Sequence, residues 1–251
     1  MTINNPIQTI EELSLNALPC LQQILDDGWV LRFAEGYTKR ANSITPLYPS
    51  YEDLTQKIKR CENTYHGFNL RPIFRLTNEP RLEIIDRTLN ELGYQKQDLV
   101  SVQVKDIKKI DFFPDRAIVT LDSDISEEWL DRYVHAVNTP VQHWNTLSTL
   151  LDIVPHPTCY AMLKDRGRFC SCGLGVLAKN YLGLFFIATA EQYRGRGYAQ
   201  QLILAMLKWG KNNGATQAYV QVEAKNINGI NLYNKLGFSE VYQYFYRLKP
   251  E

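Results

Sequence analysis

An excess of either charge is missing from this 251-residue sequence, in which 28 lysines and arginines stand against 27 aspartates and glutamates. A formal net charge of +1 excludes the electrostatic footprint of a nucleic-acid binder or of a protein that coats anionic membranes. Long apolar runs are also lacking. The longest, Tyr181–Ala190, is about half of the ~20 residues needed to cross a bilayer. The N-terminus, Met1-Thr-Ile-Asn-Asn-Pro6, has neither a basic stretch nor an apolar one, so no secretory leader is visible and a cytoplasmic protein is expected. Metal-binding patterns are absent as well. Cys20, Cys61, Cys159, Cys170 and Cys172 form no C-x-x-C pair, and His66, His135, His143 and His156 are dispersed. Buried, reduced thiols and no metal are expected, with Cys170 and Cys172 sharing one face of a strand.

What is present is an alternation of strand-like and helix-like segments, the mark of an α/β protein. At 45% hydrophobic residues the chain can bury one large core or two small ones. In the first part, Trp29–Ala34 and Pro72–Leu76 read as strands. Ser50-Tyr-Glu-Asp53 resembles a capping box opening a helix to about His66. A second helix begins at Pro80, lines Leu82, Ile85, Leu89 and Leu92 on one face, and stops at Gly93. The charged, proline-punctuated segment Lys105–Asp115 reads as a joint. Beyond it, helices are expected over Ser126–Val137 and Asn145–Val154, and strands over Cys159–Leu163, Cys170–Ala178 and Tyr181–Ala190. A helix over Gly197–Asn212 carries Ala199, Leu202, Ile203 and Met206 on one face. Strand Gln217–Glu223, helix Ile227–Leu236 and the aromatic strand Glu240–Leu248 (with Tyr242, Tyr244, Phe245 and Tyr246) close the chain. Two domains are expected, 1–112 and 116–251.

The chemistry concentrates after Tyr181–Ala190. Gln192-x-x-Gly195-x-Gly197 turns that strand directly into an amphipathic helix. Glycines let the backbone approach a ligand, and the unpaired first amides of a helix form an anion site. Arg194 and Arg196 add positive charge. The turn lacks the third glycine of a dinucleotide fingerprint and the Gly-Lys-Ser/Thr of a Walker loop. Following strand Gln217–Glu223 comes Asn226-x-x-Gly229-x-x-Leu232-Tyr233-x-Lys235-Leu236-Gly237-Phe238. The ordered pair of elements, spanning 181–238, resembles the GNAT superfamily of acetyl-CoA-dependent N-acetyltransferases. The similarity extends over 116–251, and Gly229, where the family usually has alanine, is a small departure.

The resemblance implies an α/β fold with a mixed sheet, acetyl-CoA as co-substrate, and an amine acceptor on a small molecule, amino acid or peptide. It implies that main-chain groups of Ile187, Ala188 and Thr189 pair with the pantetheine arm. The amides from Arg194 and Gly195 through Arg196, Gly197, Tyr198 and Ala199 would hold the pyrophosphate, and Asn226 would bond near the pantetheine. Tyr233 would protonate the departing thiolate as general acid. A base is less marked; Glu223, on one face with Tyr219 and Gln221, is the first choice. A monomer or homodimer is expected. Two alternatives stay open: an acyl-CoA-binding sensor without turnover, and a transferase of a longer acyl group shaped by the closing aromatics.

Sliding the sequence by 144 residues lays Leu92-Gly93-Tyr94 on Leu236-Gly237-Phe238 and Pro72–Leu76 on Thr216–Val220, as a tandem duplication would. Under that shift Gly195 falls on Tyr51, Gly197 on Asp53, Tyr233 on Leu89 and Asn226 on Leu82. A degenerate, GNAT-like N-terminal copy without its own cofactor is expected, with Arg32, Tyr37 and Arg40 lining the acceptor side.

Overall fold

The computed structural model describes residues 5–109 and 118–250. In chain order the elements are α1 (Pro6–Ala17), β1 (Gln22–Asp26), β2 (Trp29–Phe33), β3 (Ile44–Thr45), α2 (Leu54–Gly67), β4 (Ile73–Thr77), α3 (Glu83–Glu91) and β5 (Gln95–Asp106). They continue with β6 (Ile118–Asp122), α4 (Glu127–Ala136), α5 (Trp144–Asp152), β7 (Thr158–Asp165), β8 (Arg168–Ala178), β9 (Tyr181–Thr189), α6 (Tyr198–Asn212), β10 (Gln217–Glu223), α7 (Ile227–Lys235) and β11 (Ser239–Leu248). No described helix is long and apolar enough to cross a membrane.

The chain condenses into two compact units. The first comprises the described residues of Met1–Val102 with Val222–Ile227 and Glu240–Glu251; the second comprises those of Gln103–Gln221 with Asn228–Ser239. The first unit has strand order β1-β2-β3-β4-β11-β5. Its opening hairpin turns on Asp27-Gly28, both at positive φ, and the pairing closes at Asp26↔Trp29. A side chain at Gly28 would meet the Pro49 carbonyl oxygen at 2.3 Å, so glycine is required there. Trp29, Leu31, Phe74, Leu76 and Phe245 point to one face and pack with Ile58, Tyr65 and Leu89 from the helices. The last strand of the chain, β11, lies antiparallel to β4 (Phe245↔Leu76) within this unit.

The second unit has order β10-β9-β8-β7-β6. Here β7, β8 and β9 form an antiparallel meander, and β10 lies parallel to β9. Leu202, Ile203, Met206 and Leu207 of α6 are fully buried, each worth ~1.5–3 kcal/mol of hydrophobic transfer. Packing is close at several glycines: a Cβ at Gly173 would meet Ile187 Cδ1 at 2.5 Å, and one at Gly210 would meet Leu182 Cδ2 at 2.7 Å.

The 144-residue repeat shows in the element boundaries. The shift carries α2 onto 198–211, within α6, and β4 onto 217–221, the start of β10. It carries α3 onto 227–235, the full range of α7, and β5 onto 239–250, the span of β11 and the two residues after it.

Several expectations need correction. Ser50 does not cap α2; Asp53 does, accepting from the Gln56 amide at 2.9 Å, while the Ser50 hydroxyl bonds Asp27. Lys105 and Asp106 end strand β5 rather than beginning a joint, and 110–115 of that segment lie outside the described residues. Arg32 lines no cleft: it is fully buried, with its guanidinium bonded to the carbonyls of Arg40, Leu15 and Leu18. The closing aromatics, all buried, are packing residues of the first unit, with the Tyr242 hydroxyl donating to Glu11 at 2.5 Å. All five cysteines are free thiols, four of them buried and Cys20 half-buried. Burial pushes the Cys159 and Cys172 thiols up to about 12, which makes them unreactive.

Candidate active site

The strand that enters the glycine turn is broken in its pairing. Along β8 and β9 the register runs Leu174↔Phe185 and then Cys172↔Ala188, so Phe186 and Ile187 together face the single residue Gly173. This is a β-bulge. Phe186 sits at φ +52°, a conformation that strains a bulky side chain and that structures tend to hold at functional positions. On the other side, β10 pairs with β9 only from Gln217↔Tyr181 to Val220↔Leu184. The two parallel strands therefore stop pairing just before the bulge, and Ile187, Ala188 and Thr189 have no partner residue on β10. A sequence of apolar and aromatic residues gives no sign of this bulge.

Ser171 of β8 steadies the far end of β9: its hydroxyl donates to the Ala188 carbonyl at 2.7 Å and lies 3.0 Å from Thr189 Oγ1. Sequence reasoning missed this residue. The chain then passes through a single 3-10 turn at Glu191–Tyr193 into Arg194, whose Nε donates to the Thr189 carbonyl at 3.3 Å. Gly195 and Gly197 both have positive φ, +75° and +82°, and the space where their side chains would stand is open to 4 Å. Gly197 is the N-cap of α6 and brings no capping side chain, so the first amides of a 15-residue helix are left without one. Arg196 lies over the Tyr193 ring at 5.6 Å, and Tyr193 meets Tyr198 edge-on. The Tyr198 hydroxyl donates to Asp165 at 2.6 Å; that bond and partial burial push its pKa up to about 12, so it stays a neutral phenol.

The turn that the 144-residue shift lays on this one, at Tyr51–Gln56, is occupied by acids. Asp53 replaces Gly197 and fills the helix end. The Asp27 carboxylate accepts from the amides of Tyr51 and Glu52, from the Ser50 hydroxyl and from Lys57. These bonds hold Asp27 well below the usual carboxylate range, the Ser50 and Lys57 bonds leading. Leu89, in the place of Tyr233, is wholly apolar and buried.

Tyr233 belongs to α7 in the second unit, 6% exposed, edge-on to Phe238 with ring centroids 5.6 Å apart. Desolvation drives its pKa well above that of a free phenol, so the hydroxyl remains protonated across the neutral range. Asn226 and Glu223 fall instead in the first compact unit, where the end of β10 is fastened by an Ala224 amide bond to the Leu99 carbonyl at 2.8 Å. The Asn226 amide donates to the Glu223 carbonyl at 2.9 Å. The Glu223 carboxylate is half exposed and pairs with Lys225 at 3.1 Å, while Lys225 also reaches Asp98 at 3.6 Å.

Comparison with known proteins converges on one family. A family model described as "Probable histone acetyltransferase Rv0428c C-terminal" matches residues 5–247. A relative from Bacillus subtilis (strain 168), "Uncharacterized N-acetyltransferase YobR", is 26% identical over 246 residues, covering 97% of this chain and 98% of the relative. Among solved structures, a GCN5-related N-acetyltransferase from Kribbella flavida superposes with TM-score 0.72 at 14% identity, over 97% of this chain and 95% of that one. A tandem GNAT protein from the clavulanic acid biosynthesis pathway superposes with TM-score 0.65 at 11% identity, over 98% and 96%.

Proposed function

Because this chain belongs to the GNAT superfamily of N-acetyltransferases, we propose that it moves an acetyl group from acetyl-CoA to the primary amine of a small molecule, amino acid or peptide. The observation that carries the reading is the juxtaposition within one unit of a strand released from its neighbour at a bulge and, eight residues beyond the strand's end at Thr189, an uncapped helix end opened by two glycines. Main-chain groups of Ile187, Ala188 and Thr189 suit the amide-rich pantetheine arm. The amides from Arg194 and Gly195 to Ala199, with the Arg194 and Arg196 side chains, suit the pyrophosphate, since they concentrate donors and positive potential with no Cβ in the way. Asn226 is assigned to the pantetheine end of the same ligand. The co-substrate supplies an activated acyl thioester.

Tyr233 is assigned as general acid to the leaving thiolate. A free phenol titrates near ~10 and a thiol near ~8.5, and burial of Tyr233 widens that gap. The transfer becomes even only where the thiolate loses water to the same apolar surroundings, which raises its own affinity for the proton. The amine must also arrive neutral: at pH 7 an alkyl amine near pKa ~10.4 gives up its proton at a cost of ~4.6 kcal/mol. Glu223 is assigned to receive that proton through water. Its carboxylate is half exposed and already engaged by Lys225, so its contribution is small beside that of Tyr233. The unpaired thiols accord with a reducing compartment, and we place the reaction in the cytosol.

Acetyl-CoA-dependent thiol release across a panel of primary amines, amino acids and peptides tests the reading. Turnover with at least one class is expected. Tight acetyl-CoA binding with no release for any member would favour a sensor instead.

A further inference from the structure

The α1-facing side of the first unit's sheet hides a polar patch that the transferase reaction does not use. Ladder register places its members. β2 and β3 run antiparallel with Val30 opposite Thr45 and Leu31 opposite Ile44, which sets Arg32 opposite Ser43. β3 and β4 run parallel with Ile44 beside Phe74, which sets Thr45 beside Arg75. Leu31, Ile44 and Phe74 face the hydrophobic core, so Arg32, Ser43, Thr45 and Arg75 share the opposite face. Directly opposed residues on neighbouring strands stand about 5 Å apart at Cβ. The two hydroxyl residues therefore stand on the strand between the two that carry the arginines, Ser43 beside Arg32 and Thr45 beside Arg75.

All four residues are sealed from solvent, at 1%, 0%, 4% and 3% exposure for Arg32, Ser43, Thr45 and Arg75. Each also keeps a buried polar atom without a partner: Arg32 Nε, Ser43 Oγ, Thr45 Oγ1 and Arg75 Nε. Buried polar atoms almost always find a partner, so four orphans on one face point to something that bonds them. Charge says what kind of partner is needed. The Arg75 guanidinium has its carboxylate, gripping Glu11 of α1 with both terminal nitrogens. The Arg32 guanidinium donates to three backbone carbonyls and lies beside the Cys20 thiol, with no carboxylate among its described partners, so one buried carboxylate serves two buried guanidinium groups here. Burial lowers the Arg32 pKa from that of a free guanidinium, the Cys20 side chain opposing and the Arg75 charge adding to it, and an arginine in a protein keeps its charge. A water molecule would satisfy some of the donors and leave the extra charge unpaired, which is costly in a buried site.

We propose that this patch is a buried site for one small monovalent anion of halide size, bonded by Nε of Arg32 and Arg75 and by the hydroxyls of Ser43 and Thr45. The anion completes the charge between β2, β3, β4 and α1 and fastens the N-terminal helix to the sheet.

Bromide and chloride are the probes, with gluconate as the bulky control at constant ionic strength. In full-length protein, exchange of gluconate for bromide should raise Tm saturably, by roughly 5–10 °C at a hundredfold excess over Kd. Crystals soaked in bromide should give an anomalous peak in contact with Arg32 and Arg75. The near-isosteric Thr45→Val and the Ser43→Ala variants, each checked for native circular dichroism in gluconate, should lose most of the halide-dependent rise. A Tm indifferent to the exchange, or bromide-soaked wild-type crystals with no anomalous peak between the two arginines, overturns the proposal. The soak needs only wild-type protein, so the outcome does not depend on a variant folding.

Discussion

Replacing Tyr233 with phenylalanine removes one oxygen and leaves the ring that packs edge-on to Phe238. No described residue bonds that hydroxyl through any contact identified in the structure, so its loss orphans no protein partner and Tm should move by less than about 2 °C. Acetyl-CoA affinity should stay within about threefold, since the proposed phosphate and pantetheine contacts lie on β9, on the turn from Arg194 into α6 and at Asn226. The chemical step should slow by ~10²–10⁴, the usual worth of a general acid. The lower part of that range is expected, because burial has pushed the phenol pKa above the level best matched to a thiolate. The sign of that shift also fixes the pH behaviour: a raised pKa keeps the phenol protonated, so the wild-type rate should show no alkaline decline from this group below pH ~10. Single-turnover thiol release, read beside calorimetric acetyl-CoA binding, separates chemistry from affinity and from product release. Full activity of the variant where chemistry limits the rate would refute the acid role. A parallel loss of affinity and rate would reassign Tyr233 to binding.

Other perturbations follow from the same geometry. Gly195→Asp and Gly197→Asp each put a carboxylate where anions are to bind and a side chain on a left-handed residue, so acetyl-CoA affinity should fall more than tenfold, about 1.4 kcal/mol or more; calorimetry showing no change in either variant removes the phosphate site from this turn. Glu223→Gln should cost less than about tenfold in turnover because the carboxylate is already paired with Lys225; a loss as large as that of Tyr233→Phe would make Glu223 the principal base. Gly183→Ala sets a methyl group 2.5 Å from Phe185 Cε2 and 2.6 Å from the Tyr219 hydroxyl, and urea unfolding should show a loss of about 1–3 kcal/mol; an unchanged midpoint would mean that β9 and β10 repack without strain.

Much of the second unit was legible because its signals are local. The Gln192-x-x-Gly195-x-Gly197 turn has to end a strand and start a helix, and the spacing of Leu202, Ile203 and Met206 names the face that α6 buries. Phe186 shows the limit. A bulge is a property of the pairing between two strands, and an aromatic in an apolar run carries no mark of it. In the first unit, β5 was missed because its outer residues, Gln95-Lys-Gln-Asp98 and Lys105-Asp106, are polar, while only its centre is buried. Arg32 was misjudged because an arginine in a strand looks like a site residue until its carbonyl partners, brought from Leu15, Leu18 and Arg40, are seen. Ser50 and Asp53 both suit a helix start, and only the fold decides between them, by giving Ser50 to the Asp27 carboxylate. The 144-residue shift was visible as matched helix ends, and at the turn it lays on the glycine cradle Asp53 and Asp27 bond the backbone amides.

A structure of the full chain with bound CoA tests the central claim most directly. One molecule per chain is expected, its pyrophosphate on the amides of Gly195–Ala199 and its pantetheine along Ile187–Thr189. A pyrophosphate bound anywhere else, or a second molecule at the Tyr51–Gln56 turn where Asp27 and Asp53 now sit, would contradict it.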